Sequence, residues 1–319
     1  MTSASEDSFV GVDLGGTFIK SALVTGEGRI LKKYSLATQA IDGVDAVLDK
    51  MREAIREVIS EEAVGIGIGA PGLVDPGTGD VYDLTNFPGW RHVALASILK
   101  ESFGLPVFVD NDGNVMALGE CLWGAGRGAN SLLGITLGTG VGGGLVLSQQ
   151  PYQPKGVSAV EIGHIVVVHN GLACACGGRG CLERLVGNQF IVERFLQRVD
   201  QGRDTQVLDQ VGGNRQEITP KLLSQAADEG DKLSQEIWQE TGEYLGSALV
   251  TVINLLAPEV IAIGGGVAKA GEKLFDPIRR WVQSYAMSAL SERVSIVPAV
   301  LGNDAGVIGA ASLAKQRLL

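Results

Sequence analysis

Three cysteines and the histidines that precede them are the most chemically distinctive group in this chain. Cys174, Cys176 and Cys181 lie within eight residues. In a chain that we expect to be cytoplasmic, clustered cysteines indicate a metal site more than a disulfide. Cys174 and Cys176 are also too close in sequence to form a disulfide with each other easily. Three thiols and one imidazole suit tetrahedral zinc, although the C-x-C-x₄-C spacing is not that of a common zinc finger. Either His164 or His169 can supply the fourth ligand.

Glycine-rich turns that follow apolar, strand-like runs form a second group. They are Asp13-Leu14-Gly15-Gly16-Thr17, Gly138-Thr139-Gly140 and Gly264-Gly265-Gly266. A strand that ends in glycine leaves backbone N–H groups available and lets the main chain approach a ligand closely. Three such turns predict convergence on one large polyanion and favour a nucleoside triphosphate. Asp13, at the end of its strand, is suited to hold hydrated Mg²⁺, which prefers one or two carboxylates with waters and phosphate oxygens.

Two familiar nucleotide motifs are excluded. A P-loop needs a Gly-Lys dipeptide, and the sequence has none. Gly138, Gly140 and Gly143 satisfy GxGxxG, but Leu145–Leu147 after them predicts a strand where the dinucleotide fingerprint requires a helix. The first two glycine turns each lie between two apolar strands, which predicts β-hairpins and an internal duplication, with two unrelated hairpins as the alternative.

The segment Val109-Asp110-Asn111-Asp112 ends a predicted strand in two carboxylates around an amide. On the residues alone, Asp112 is best interpreted as a helix N-cap, because a helical run, Val115–Trp123, follows it and aspartate caps helices well.

The elements that must position these groups alternate between helix and strand. Apolar spacing predicts a helix over 42–59, a strand over 64–68, a helix over 94–102 and a strand over 107–109. This alternation indicates an α/β fold with a partly parallel sheet. A polar segment, 200–216, is predicted to be a surface loop, and Leu245–Val267 a buried helix followed by a buried strand.

Composition narrows the function classes. The chain has 319 residues, 19% of them charged, with a net charge of −10. That length favours two domains or lobes, and the acidic balance argues against a nucleic-acid partner. A phosphate site must then be built locally, from backbone amides and a few cations such as Lys20. Residues 1–8 lack the basic and apolar regions of a secretory signal, so we expect a cytoplasmic protein without a membrane partner.

The glycine turns, Glu161-Ile162-Gly163-His164 and the cysteine segment 174–183 together resemble the ROK family of bacterial sugar kinases and repressors, within the actin-like ATPase superfamily. The resemblance covers nearly the whole chain. It implies a two-lobed α/β (ribonuclease H-like) fold with a duplicated mixed sheet and a cleft between the lobes. We predict a small lobe from 8–113 plus 301–319, and a large lobe from 114–300 that carries the zinc knot.

The resemblance also implies roles for individual residues. Asp112 matches the catalytic base, and His164 matches the fourth zinc ligand, with Cys174, Cys176 and Cys181. The implied sugar-binding residues are Gly72, Asn86, Asn111, Asp112, Glu161, His164 and Glu183. The implied ATP-binding residues are Asp13, Gly15, Gly16, Thr17, Lys20, Gly138, Thr139, Gly140, Gly264, Gly265 and Gly266. Cys121 is expected to be a small core residue.

The implied activity is ATP-dependent phosphorylation of a hexose at its 6-hydroxyl, with glucose first and with Mg²⁺ and structural Zn²⁺ as cofactors. Val160, Gly113 and Ala257 depart from the common family pattern, so N-acetylmannosamine, N-acetylglucosamine and fructose stay open as substrates, and polyphosphate as donor. A sugar-responsive repressor and a filament-forming or chaperone ATPase are the alternatives from other classes. A dimer or tetramer is expected from the family.

Overall fold

The computed structural model describes residues 7–82, 84, 87–157 and 159–319. Asn86 and most of the stretch 1–8 therefore lie outside the described residues. The strands in these ranges are β1 (Ser8–Leu14), β2 (Phe18–Thr25), β3 (Ile30–Ala37), β4 (Ala63–Ala70), β5 (Leu73–Asp75), β6 (Asp80–Tyr82), β7 (His92–Val93), β8 (Val107–Asn111), β9 (Leu132–Leu137), β10 (Val141–Leu147), β11 (Gln150–Pro151), β12 (Val260–Gly265) and β13 (Ser295–Pro298). The α-helices are α1 (Val44–Val58), α2 (Leu95–Phe103), α3 (Asp112–Trp123), α4 (Glu183–Val186), α5 (Asn188–Asp200), α6 (Val207–Gln210), α7 (Pro220–Asp228), α8 (Lys232–Leu256), α9 (Glu272–Tyr285), α10 (Ser288–Ser291) and α11 (Ala305–Leu318).

Two five-stranded sheets share one plan. The first has the order β3-β2-β1-β4-β8, in which β3 pairs with β2 and β2 with β1 in the antiparallel sense, whereas β1 pairs with β4 and β4 with β8 in the parallel sense. The second has the order β11-β10-β9-β12-β13, with β11 antiparallel to β10 and β13 parallel to β12. Each glycine-turn hairpin thus occupies the same place in its sheet, which confirms the predicted duplicated mixed sheet. A small antiparallel sheet, β5-β6-β7, completes the strands.

The chain divides into two compact units. The first unit consists of Met1–Gly134, Gly144–Val160 and Val300–Leu319, and the second of Ile135–Gly143 and Glu161–Ala299. The predicted lobes, 8–113 plus 301–319 and 114–300, stay a prediction.

The core of the first unit contains α1 and α11, each packed on the sheet. The apolar face of α1 buries Val47, Met51 and Ile55 completely, as its helical spacing predicts. α11 approaches the sheet more closely, because β1 and β4 present glycines to it. A Cβ at Gly11 or at Gly67 would overlap a backbone carbonyl of α11. Helix backbone and strand backbone are therefore in direct contact here.

The long apolar stretch of the second unit is a buried helix and strand, as predicted. α8 buries twelve of its residues, and Ile261, Ala262 and Ile263 of β12 are fully buried. Within the described residues, no helix is both long and apolar enough to cross a membrane.

Candidate active site

The first glycine turn closes the β1–β2 hairpin. The backbone N–H of Gly15 donates to the carbonyl of Phe18 at 3.0 Å, which leaves Gly16 and Thr17 exposed at the tip. Asp13 is paired in register with Lys20, and the Lys20 Nζ lies 3.3 Å from the Asp13 Oδ2. One carboxylate and one ammonium group therefore flank an exposed glycine turn, which is the arrangement expected of a site for a magnesium–phosphate ligand.

The first turn of α11 packs against Asp13. A Cβ at Gly306 would lie 2.9 Å from the Asp13 Cγ, so only glycine leaves this carboxylate undisturbed. The start of a helix is also its positive end, which favours a carboxylate or a phosphate nearby. The sequence analysis missed Gly306, because a single glycine in a helical pattern carries no local signal of what it contacts.

The junction of β8 and α3 places two of the predicted residues. Asn111 is the N-cap of α3, since its side-chain oxygen accepts from the Gly113 N–H at 2.8 Å. Its Nδ2 donates to the carbonyl of Gly72 at 3.0 Å, which joins α3 to the turn after β4. The interpretation of Asp112 as the N-cap was wrong: Asp112 is the first helical residue, and its side chain is exposed.

Asp110 is buried directly behind this junction. Its carboxylate accepts from the backbone N–H of Asn111 at 2.7 Å, from the Nδ2 of Asn114 at 2.9 Å and from the Nε2 of Gln153. Gln153 in turn accepts from the Arg317 guanidinium. Burial raises the pKa of Asp110 above the ordinary aspartate value, against the lowering effect of these donors. The network fixes the backbone from which Asn111 and Asp112 project.

The cysteine cluster belongs to the second unit. The ligand atoms of His164, Cys174, Cys176 and Cys181 all lie within 4.8 Å of one another. The Cys174 Sγ is 3.7 Å from the His164 Nδ1, and the Cys176 Sγ is 3.7 Å from the Cys181 Sγ. The structure therefore brings together the four predicted ligands, with His164 in the group.

The chemistry of this donor set fits a divalent cation. Burial, with the neighbouring thiols of Cys176 and Cys174, raises the pKa of the Cys181 thiol to about 12. The N–H of Gly178 is the main cause that lowers the pKa of Cys176. A cation among the thiols would favour the ionised form of the buried Cys181, and three sulfurs with one imidazole nitrogen match tetrahedral Zn²⁺.

Glu183 supports the second glycine turn. Its Oε2 accepts from the N–H of Val141 at 3.0 Å and would lie 2.8 Å from a Cβ at Gly140. The carbonyl of Gly138 accepts from the N–H of Asn188 at 2.9 Å. The turn is therefore held against α4 and α5. Glu161, which is exposed, directly precedes the short 3₁₀ helix Ile162–His164, so this glutamate lies three positions before the histidine of the cysteine cluster.

The second and third glycine turns meet. Gly265 has φ 91°, a conformation that favours glycine, and a Cβ there would overlap the backbone of Leu137. Leu137 directly precedes the turn Gly138-Thr139-Gly140. Two of the three glycine turns that were predicted to bind the nucleotide are thus neighbours in the second unit.

Of the remaining predicted residues, Asn86 lies outside the described residues. Cys121 is buried in α3, with its Sγ 3.8 Å from the carbonyl of Ala129, which confirms its place in the core.

The duplicated sheets and the glycine-turn hairpins are those of the actin-like ATPase class. The sequence profile of the ROK family matches residues 9–317, and the chain belongs to that family. It is 40% identical to a glucokinase of Halalkalibacterium halodurans, over 98% of this chain and 96% of the relative. It is similar to the crystal structure of a ROK family glucokinase from Streptomyces griseus in complex with glucose and AMPPNP, with 34% identity, a TM-score of 0.79, and coverage of 97% of this chain and 99% of that chain. A ROK family transcriptional regulator, a homologue of the Escherichia coli Mlc protein, matches with 28% identity and a TM-score of 0.86, over 98% of this chain and 79% of the regulator. The predicted family and fold are confirmed.

Proposed function

We propose that this protein is a glucokinase, which transfers the γ-phosphoryl group of ATP to the 6-hydroxyl of glucose. The observation that carries the proposal is the full-length similarity to the Streptomyces griseus glucokinase that binds glucose and AMPPNP. The geometry of the first glycine turn supports it, because an exposed backbone turn beside Asp13 and Lys20 suits a magnesium–triphosphate ligand.

In this proposal Asp112 is the catalytic base. Its exposed carboxylate accepts the proton of the 6-hydroxyl and directs that oxygen toward the γ-phosphorus. Asn111 and the Gly72 turn bind the sugar from the same side, held together by their own hydrogen bond. Asp110 holds the backbone of this segment without contact to substrate. Because phosphoryl transfer depends mainly on position and charge, a fixed aspartate suffices as the base.

The second unit supplies further sugar ligands. Glu161, Glu183 and His164 are assigned to the hydroxyl groups of glucose, since carboxylates are strong acceptors for hydroxyl donors. His164, Cys174, Cys176 and Cys181 hold the structural Zn²⁺, which supplies a fixed orientation for the imidazole. The turns 138–140 and 264–266 bind the nucleotide, together with Gly15, Gly16, Thr17 and Lys20. Asp13 holds Mg²⁺ through water.

The decisive experiment measures the formation of sugar phosphate from glucose, N-acetylmannosamine, N-acetylglucosamine, fructose and mannose, with ATP or polyphosphate as donor, and also the release of ADP where ATP is the donor. We expect the highest kcat/KM with glucose and ATP. A higher kcat/KM with an N-acetylhexosamine would assign the protein to another kinase of the family. Release of ADP that is independent of any sugar would contradict the kinase assignment as a whole.

A sugar-responsive regulator is the second candidate, because the regulator structure matches with a TM-score of 0.86. The net charge of −10 disfavours a DNA partner. A gel-shift assay at low salt against genomic fragments, with and without glucose, tests it. Sequence-specific retention without any phosphorylation of glucose would favour the regulator.

We also propose that the enzyme acts in the cytoplasm as a dimer or tetramer. The family resemblance supports this assignment. Light scattering after size-exclusion chromatography measures the mass directly, and a mass equal to the 33.3 kDa chain would contradict it.

A further inference from the structure

A cavity of about 300 Å³ lies beside the cysteine cluster and outside every residue assigned above to substrate or zinc. Its walls are formed by the loop between His164 and Cys181 and by the residues after Glu183. The polar side chains in the wall are Asn170, Arg179, Arg184 and Tyr244, and the apolar ones include Val168 and Leu172. The volume lies at the lower end of the range for small-molecule sites, about 300–1,000 Å³.

Few acidic side chains lie near the two arginines to compensate their positive charges. Across the described part of the chain, no carboxylate lies within 4.0 Å of the Arg179 guanidinium. Arg184 has one acidic neighbour, the half-exposed Glu193, at the limiting distance of 4.0 Å. The Arg184 Nε is buried, with no hydrogen-bond partner among the described residues. A buried donor without an acceptor is unfavourable, and an acceptor on a bound ligand would satisfy it.

The side chain of Arg184 is held in place. Its guanidinium carbon lies 3.8 Å from the centroid of the Phe190 ring, a stacking contact that fixes the plane of the group. A fixed guanidinium plane presents parallel N–H donors, and this geometry matches phosphate or carboxylate oxygens. In a chain of net charge −10, two arginines that line one cavity mark a local site for an anion.

The remaining walls restrict the ligand. Val168 and Leu172 offer apolar surface, and Tyr244 adds a ring with a hydroxyl group. We propose that this cavity binds a small phosphate monoester, with the phosphate on Arg179 and Arg184 and the organic part against the apolar wall. Two guanidinium groups match a phosphate dianion better than a singly charged carboxylate. The site lies one residue from Glu183, but its binding does not depend on the proposed kinase activity.

Isothermal titration calorimetry of the zinc-loaded protein tests the site, with inorganic phosphate and phenyl phosphate, an ester whose organic part is apolar, as probes. Saturating AMPPNP is present, so that the nucleotide site does not contribute. We expect phenyl phosphate to bind more tightly than inorganic phosphate, because only the ester uses the apolar wall. Equal affinities would mean that the cavity takes a free phosphate ion, which would overturn the assignment to an ester.

Substitutions localise the binding. Arg184→Gln and Arg179→Gln are each expected to weaken binding of phenyl phosphate about tenfold, through loss of one charged donor pair. Arg215→Gln is the matched control, since Arg215 pairs with Asp200 on the exposed surface and does not line the cavity. Wild-type affinity in both cavity variants, or no measurable heat in the wild type, would overturn the proposal.

A third variant changes a residue other than the two arginines, so the test does not depend only on variants that could fail to fold. Leu172 is 55% exposed, so Leu172→Glu places a carboxylate at the cavity wall without disturbing the core. It should abolish binding by charge repulsion. Leu255→Glu, at a position that is 76% exposed and away from the cavity, should bind as the wild type does. Unchanged binding in Leu172→Glu would refute the proposed location.

Discussion

Gly140→Ala tests the link between the second glycine turn and sugar binding. A Cβ at Gly140 would lie 2.8 Å from the Glu183 Oε2, about 0.6 Å inside the 3.4 Å at which ordinary contacts begin. Gly140 does not have a positive φ, so its backbone accepts alanine without strain. The carboxylate must therefore move, and its 3.0 Å hydrogen bond from the Val141 N–H is stretched or lost.

The size of the effect follows from this displacement. A hydrogen bond to a charged group contributes about 1.5–3 kcal/mol, or about 10- to 150-fold in affinity. Because the carboxylate of Glu183 is displaced and not removed, we expect glucose affinity to fall by about 10- to 50-fold, which corresponds to about 1.4–2.3 kcal/mol. Stability should change little, because the lost contact is offset in part by the lower unfolded-state entropy of alanine, about 0.4–1 kcal/mol.

The assay is glucose titration by calorimetry without nucleotide, together with the thermal midpoint of each variant. Gly138→Ala is the matched control, since a Cβ at that position of the same turn meets nothing within 4 Å. It should bind glucose as the wild type does in this nucleotide-free assay. Wild-type glucose affinity in Gly140→Ala would refute either the role of Glu183 in sugar binding or the rigidity of its contact with the turn.

The remaining predictions concern the base, the cysteine cluster and the buried aspartate. Asp112→Asn should keep glucose affinity within about threefold but lose at least about 10²-fold in kcat, a typical general-base contribution; retained turnover would eliminate Asp112 as the base. Cys176→Ser should lower both the zinc content by elemental analysis and the thermal midpoint, whereas an unchanged zinc content would contradict the ligand set. Burial raises the pKa of Asp110 in the folded protein, so this side chain favours the folded state when it is protonated. Its contribution to the free energy of unfolding is complete below the pKa of the unfolded chain, about 3.9, and is lost as pH rises through the folded pKa. The midpoint of the wild type should therefore fall relative to that of Asp110→Asn as pH rises above about 4, and parallel pH profiles would contradict this.

The sequence predicted the elements whose signals are local. The helix predicted over 42–59 is α1, Val44–Val58, and the strand predicted over 64–68 is β4, Ala63–Ala70. The apolar residues of α1 recur at helical spacing, and β4 is a β-branched run bounded by glycines. Both signals are local, so these elements could be predicted without knowledge of tertiary contacts. The segment 200–216 was only partly a loop, because it holds the short helix α6, Val207–Gln210, and a 3₁₀ turn at Arg215–Glu217.

The start of α3 shows how a local signal can be misplaced. The predicted helical run began at Val115, whereas α3 begins at Asp112. Both Asn111 and Asp112 are good capping residues, and the sequence alone does not say which of them lies outside the helix. Asn111 is the residue outside the helix, since its backbone is extended and its side-chain oxygen accepts from the Gly113 N–H. Its Nδ2 is also bound to the Gly72 carbonyl, 39 residues away in sequence, and the sequence gives no sign of that partner.

Buried carboxylates depend on contacts that no sequence pattern reveals. The Glu120 carboxylate is fully buried in α3 and accepts from the N–H of Leu301 at 2.8 Å, across 181 residues. In sequence it is one more polar residue in a helix. Asp110 was seen only as part of the acidic segment before α3, because its partner Gln153 lies on a separate loop. Residue type suggests chemistry, but only the folded register supplies the partners that set burial and pKa.

The direct backbone contact of α11 with β1 and β4 has a consequence for variation. Every possible replacement of Gly11 or Gly67 adds at least a methyl group where a carbonyl oxygen already lies. A saturation-mutagenesis screen should therefore record complete intolerance at these two positions, as strong as at Asp112. Such a screen, interpreted without coordinates, would assign the two glycines to substrate binding, although their role is to let α11 pack directly on the backbone of the sheet.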